Sequence, residues 1–355
     1  MKPMNESSMR RRDLLACLPA FIAAPMALAQ GVTPPPGGAA APVGGMQARP
    51  RTGKASVSEG VTIPFAMAAC WADDYGALAN LRLIAKLDCT IATRCAKSPI
   101  GDDEYFTLFI SAGAALECIG ILATASMAGT AVFYPKIEEG GDLVVMSVRV
   151  GQVKKQPTPD ALASALGIFT RPDPRGAFDA AYKPEVACVE KARISLIDQN
   201  TTGVVIADGK RAEFMKAVET LAAASPAFAA AIGPKTLWGP GCTILLAGRG
   251  PTATTQTLIN AGRGMQKAGL FAHQYGAAFD VRPLPPGLFE AASAKGAEQA
   301  AAAKVIAAAL EAPGFEPMAL CRLGKLTSPQ PRAVPPAMQI LSASMEAPAI
   351  APNGN

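Results

Sequence analysis

Between Tyr105 and Tyr134 the chain carries one charged residue, Glu117, in the run YFTLFISAGAALECIGILATASMAGTAVFY. An apolar run of that length is either a membrane span or the centre of a packed core, so it decides what the chain can fold into. Glu117 stands near its middle, where a charge costs about 2.5 to 3.5 kcal/mol on the insertion scale. Four small residues, Ser111 to Ala114, also divide it. We therefore expect a strand at 105–110, a buried helix at 114–127 and a strand at 130–134, with no stable transmembrane helix in the mature chain. Within such a core, Glu117 is paired, protonated or turned outward on a helix face.

Composition agrees with a core of that kind. Half of the 355 residues are apolar and 17% are charged, which supplies enough material for a buried interior. The net charge of +5 is small, and no basic run is interleaved with aromatics, so nucleic acid is not expected as a partner. Elsewhere the patterning mixes both periods. Val144, Met146, Val148 and Val150 alternate along one face of a hairpin whose turn is Glu139-Gly140-Gly141-Asp142. Phe214, Ala217, Val218 and Leu221 recur at helical spacing behind Asp208. A helix is expected over WADDYGALANLRLIAKL, and a second hairpin from ARISLID into GVVIAD. CTILLAG reads as a buried strand leading into a helix, and 288–310 as one alanine-rich helix. The fold class is α/β or α+β, with mixed sheets, packed helices, two lobes and flexible Pro-rich ends. No internal repeat is evident.

Proline and glycine set the boundaries. Residues 1–29 have the order of a signal peptide: Arg10, Arg11 and Arg12, an apolar segment, then Ala27-Leu28-Ala29. Arg11-Arg12-Asp13-Leu14-Leu15 resembles a twin-arginine export signal, which implies a periplasmic or secreted protein that folds before export. Residues 30–55 read as a Pro/Gly-rich linker, 56–155 as a first lobe, 156–190 as a Pro-rich connection, 191–326 as a second lobe and 327–355 as a Pro-rich tail.

Export makes disulfides plausible, and among the seven cysteines after residue 29 only Cys89 and Cys95 are close in sequence. They are expected to bridge a short loop after a helix. A metal is not expected, because there is no C-x-x-C and a single histidine.

The candidate ligand site is the strand-to-helix turn Gly248-Arg249-Gly250-Pro251-Thr252-Ala253. It has the form G-x-G-x-x-A, in which glycines admit a pyrophosphate to a helix N-terminus. Gly248, Arg249, Gly250 and Thr252 are the residues concerned. The acidic residue expected about 20 positions later is missing, since the next is Asp280. His273 is the candidate general base, for want of any other histidine. Asp102-Asp103-Glu104 and Glu138-Glu139 read as solvated loop charges. With no G-x-S-x-G elbow and no other catalytic signature, the chain is expected to be a ligand- or partner-binding or assembly protein without its own chemistry. The alternative is an exported enzyme with an anionic ligand or nucleotide-type cofactor at 248–253. The sequence specifies neither the cofactor nor the small ligand or protein partner.

Overall fold

The computed structural model describes residues 65–66, 68–69, 71–73, 75, 81–85, 90–96, 102–134, 137–139, 142–152, 156–332 and 339–342. The signal segment and the linker lie outside them. Eight α-helices and two sheets are described, a mixed α/β architecture.

The apolar run is mainly one helix, α1 (Asp102–Ala125), followed by strand β3 (Ala128–Phe133). The expected strand at 105–110 is thus the start of α1. Asp102, Asp103 and Glu104 occupy the first helical turn, where carboxylates complement the exposed N–H groups. The Asp103 carboxylate also accepts from the Gly287 N–H at 2.8 Å. By length and composition α1 could cross a membrane, but two thirds of its most apolar window is buried against the rest of the protein.

The first sheet takes β1 (Leu81–Ala85), β2 (Thr90–Ala96), β5 (Asp142–Gln152) and β3 in the order β1-β2-β5-β3. A short β4 (Ile137–Glu139) also pairs with β5, and β10 (Gln339–Ser342) lies parallel to the outer edge of β1. The second sheet is β6 (Thr201–Val205), β7 (Cys242–Arg249), β9 (Glu316–Gly324) and β8 (Ala278–Pro283), in the order β6-β7-β9-β8. Between the sheets run α1 and α6 (Thr255–Gln274), sharing one core with Leu83, Ile91 and Met146 of the first sheet and Leu245, Ala247 and Cys321 of the second. The alternate residues Ile244, Leu246 and Leu320 face a separate core. That core is closed by α4 (Asp208–Ala224), α5 (Pro226–Ile232), α7 (Pro286–Ser293) and α8 (Ala297–Ala308). Two further helices, α2 (Pro159–Thr170) and α3 (Val186–Ser195), complete the set.

The two sheets are copies of one motif, contrary to the expectation of no repeat. Both connect strand, strand, helix, strand and strand, in the same spatial order. Leu81 opposes Cys95 and Ala85 opposes Ile91 in one; Thr201 opposes Arg249 and Val205 opposes Leu245 in the other. Each central strand pair has a single register shift, at Thr93/Arg94 and at Ala247/Gly248. The helix-turn-strand unit repeats at a constant spacing of 149 residues, with Ile110-Ser111-Ala112-Gly113 recurring as Ile259-Asn260-Ala261-Gly262. Even the left-handed turn residue recurs, as Met127 (φ 56°) and Gly276 (φ 71°).

The copies meet through their helices. A Cβ on Gly113 would collide with the Ile259 carbonyl, and one on Gly262 with the Ile110 carbonyl. The contact is reciprocal, as at a two-fold interface, although both sides belong to one chain. Glycine is required because the two backbones touch where a side chain would stand.

The Cys89–Cys95 bridge is excluded by the strand that contains Cys95. Cys89 itself lies outside the described residues, but it precedes Thr90, the first residue of β2. Thr90 and Cys95 are about 17 Å apart in extended chain, so Cys89 cannot approach within the ~7 Å that a disulfide tolerates. The described Cys118, Cys188, Cys242 and Cys321 are free thiols.

Candidate functional site

Copying a helix copies its corners, and the two corners beside α1 and α6 have diverged. In one, residues 71–75 lie beside α1, with Cys118 and Gln266. In the other, α3 and the turn after it lie beside α6, with Lys267 in place of Cys118 and Glu117 in place of Gln266 at the 149-residue spacing.

The first corner is sealed by the chain itself. Asp73 accepts Arg171 at 3.0 Å on one oxygen and Arg332 at 3.1 Å on the other. Arg332 also donates to the carbonyls of Trp71 and Ala72. Gln266 accepts from the Asp73 N–H at 3.0 Å and donates to the Cys118 sulfur at 3.0 Å. Burial pushes the Cys118 thiol up to about 12, so it is a neutral, packed group. Beside Arg171 and His273 there remains about 10 Å³, room for about one water.

The second corner is open. It forms a cleft of about 410 Å³ between α3 and α6, within the usual ~300–1,000 Å³ of small-molecule sites. Gly264 makes it possible, since a Cβ there would strike the Ser195 carbonyl and hold α3 away. Lys191 reaches from α3 and Lys267 from α6, their ammonium groups 5.4 and 5.6 Å from the centre of the Phe271 ring. Lys191 also lies 5.3 Å from the Tyr275 ring. Among the described residues neither ammonium has a carboxylate partner. The acidic groups of the cleft are already engaged: Glu117 takes Arg263 at 3.0 Å, and Asp198 accepts from Asn260 at 2.8 Å. Tyr134 adjoins Arg263, and burial raises its phenol above the usual value while the guanidinium opposes that rise. Two unpaired cations over one aromatic face form a place for an anion carried on a flat or apolar group.

The residues singled out in the sequence lie elsewhere. Gly248 and Arg249 end β7, where Arg249 is held by Glu316 at 2.6 Å. The Gly250 N–H donates to the Asn200 carbonyl, and the Thr252 hydroxyl donates to the Asn200 side chain at 2.8 Å. Thr254 and Thr257 cap α6 reciprocally. The strand-turn-helix is as expected, with its arginine and several of its amides already engaged. His273 is one turn from the other end of α6, with Nε2 3.3 Å from the Thr170 hydroxyl. Burial lowers its pKa, with help from Arg171. It is not brought together with Gly248–Thr252 or with the cleft. Among the described residues no group of three metal-binding side chains occurs.

The sequence did not single out Lys191, Lys267 or Phe271. The spacing of Lys267 and Phe271 is one helical turn, a usable signal, but Lys191 joins them only through the fold.

No family model and no curated protein matches the chain. Among solved structures it is similar to a nitroreductase with bound FMN from Desulfitobacterium hafniense, at 17% identity and a TM-score of 0.38, covering 49% of this chain and 94% of that one. It is also similar to an FMN-dependent nitroreductase from Clostridium difficile, at 13% identity and a TM-score of 0.35, covering 48% and 93%. These neighbours are enzymes, against the expectation of a binding or assembly protein without its own chemistry, and that expectation is withdrawn. The disulfide falls with it on the geometry above, and neither the described residues nor the neighbours support a signal peptide or the twin-arginine route. At these scores the likeness assigns no activity to this chain.

Proposed function

We propose that the cleft between α3 and α6 binds an anionic small molecule with a flat apolar part, as a substrate or cofactor. The observation that carries this is the pair of ammonium groups, Lys191 and Lys267, converging on Phe271 without carboxylate partners. Like charges held near one ring repel each other, and an anion between them removes that repulsion. Phe271 supplies a face for the apolar part, and the Arg263–Glu117 pair bounds the cleft on the α1 side. FMN, named for both neighbouring structures, combines a phosphate with a planar ring and is a suitable first probe of the class.

The test is a titration of the full chain with inorganic phosphate, benzoate and FMN at low and high salt. FMN should bind more tightly than phosphate, and its affinity should fall as salt rises. Lys191→Met and Lys267→Met should each weaken it by about tenfold, the loss of one charge-assisted contact. Phe271→Ala should weaken FMN and benzoate but leave phosphate unchanged. Equal binding of FMN by the parent and by the double lysine variant would overturn the assignment.

A further inference from the structure

The repeat exposes a difference between the two sheets at their outer edges. Strand β1 carries β10 in parallel, with Arg82 opposite Gln339 and Ala85 opposite Ser342. Its copy, β6, pairs among the described residues only with β7. The Ile206 N–H donates to Ile244 and the Gly250 N–H to Asn200. Antiparallel alternation between those two bonds turns Thr202 and Val204 toward β7, and points the backbone groups of Gly203 and Val205 outward. These outer groups are a template for another strand.

Beside that edge lies a groove of about 240 Å³, with walls from Val204, Val205, Phe214, Val305 and Ala308. Charge is confined to its mouth. Lys210 is paired with Glu311 at 3.1 Å, which leaves Glu213, exposed and without a cationic partner among the described residues. Glu213 is on α4, which follows β6, so the excess negative charge lies toward the C-terminal end of the strand.

We infer that the outer edge of β6 takes an extended apolar peptide from another polypeptide, running parallel to β6 and followed by basic residues. The identical register of β1 and β6 against their inner neighbours sets the alignment. Residues corresponding to Gln339–Ser342 lie opposite Thr202–Val205, and the next residues reach Glu213. Residues 339–342 of this chain are already committed to β1, so the occupant comes from outside. Main-chain bonds at Gly203 and Val205 supply affinity, the groove selects apolar side chains, and Glu213 selects the charge.

The experiment uses the full chain and a fluorescent peptide, Gln-Ile-Leu-Ser-Lys-Lys. Anisotropy should show saturable binding, and amide hydrogen exchange should slow at Gly203 and Val205. Glu213→Lys, a change at an exposed helical position, should weaken the peptide by about fivefold. Replacing the two peptide lysines by glutamates should restore binding to that variant. A peptide with proline in place of isoleucine should not bind. The inference is overturned by an absence of saturation at millimolar peptide, by protection at another strand, or by equal binding to Glu213→Lys. Concentration-dependent protection of β6 without peptide would assign the edge to a second copy and overturn it equally.

Discussion

Asp73 is shared by two buried guanidiniums, and its removal strands both. Asp73→Asn should cost about 3 to 5 kcal/mol, because uncompensated charge in the interior is far more costly than a lost contact. Thermal melts of the variant check this, and an unchanged melting temperature contradicts it. The buried thiols give a second expectation. Burial holds Cys118 at about 12 and pushes Cys321 higher still, so neither supplies thiolate at pH 8. Peptide mapping after alkylation of the native protein should find both unmodified, and both labelled after unfolding. His273 sets an acid limb on stability. Its folded pKa lies below the unfolded value of about 6.5, so the unfolded chain binds the proton more readily. The stability it contributes is complete above that value and is lost as pH falls toward the folded value. His273→Gln should therefore flatten the fall in stability between pH 7 and 5, measured by urea titration.

The α1–α6 crossing rests on two glycines with equivalent surroundings, so equivalent substitutions should cost alike. Gly113→Ala and Gly262→Ala each drive a methyl into the opposite backbone and should cost about 1 to 3 kcal/mol or more. Gly120→Ala is the control: its nearest neighbour is the Thr130 hydroxyl at 3.9 Å, and the change should be neutral or stabilising by up to ~1 kcal/mol. Denaturant midpoints distinguish the three. What could be read from the sequence follows the same division between local and distant causes. The faces of β5 and α4 were legible because Met146, Val148 and Val150, and likewise Phe214, Val218 and Leu221, repeat at the period of their own element. The strand β1 and the helix α3 were exchanged in kind. Leu81 and Leu83 fit a helical stripe with Tyr75, while ARISLID looked β-rich; packing, not propensity, decided both. The helix expected over 288–310 divides into α7 and α8, with Gly296 in extended backbone just before α8. The repeat escaped detection because α4 and α5 interrupt the second copy after β6, and α7 and α8 after β8. No single period survives those insertions. The cleft escaped because its lysines come from α3 and α6, far apart in the chain.

Joining the two copies in one core should make them unfold together. The chain's two tryptophans report on opposite sides of the second sheet: Trp71 packs against the core between the sheets, and Trp238 lies within the core beneath α4, α5 and α7. Single-tryptophan variants, Trp71→Phe and Trp238→Phe, should give coincident urea transitions, also coincident with circular dichroism. Separated midpoints would divide the molecule into independent units. Divergence between the copies has a functional counterpart. One corner is filled by Arg171 and Arg332, while the other retains a cleft with unpaired cations, and on that asymmetry the proposed site depends. The most direct measurement is a crystal structure of the full chain grown with FMN. The phosphate should lie between Lys191 and Lys267, with the ring against Phe271, and the Asp73 corner should be unchanged. FMN bound at the Gly248–Thr252 turn, or at the Asp73 corner, with the cleft between α3 and α6 empty, would contradict the assignment.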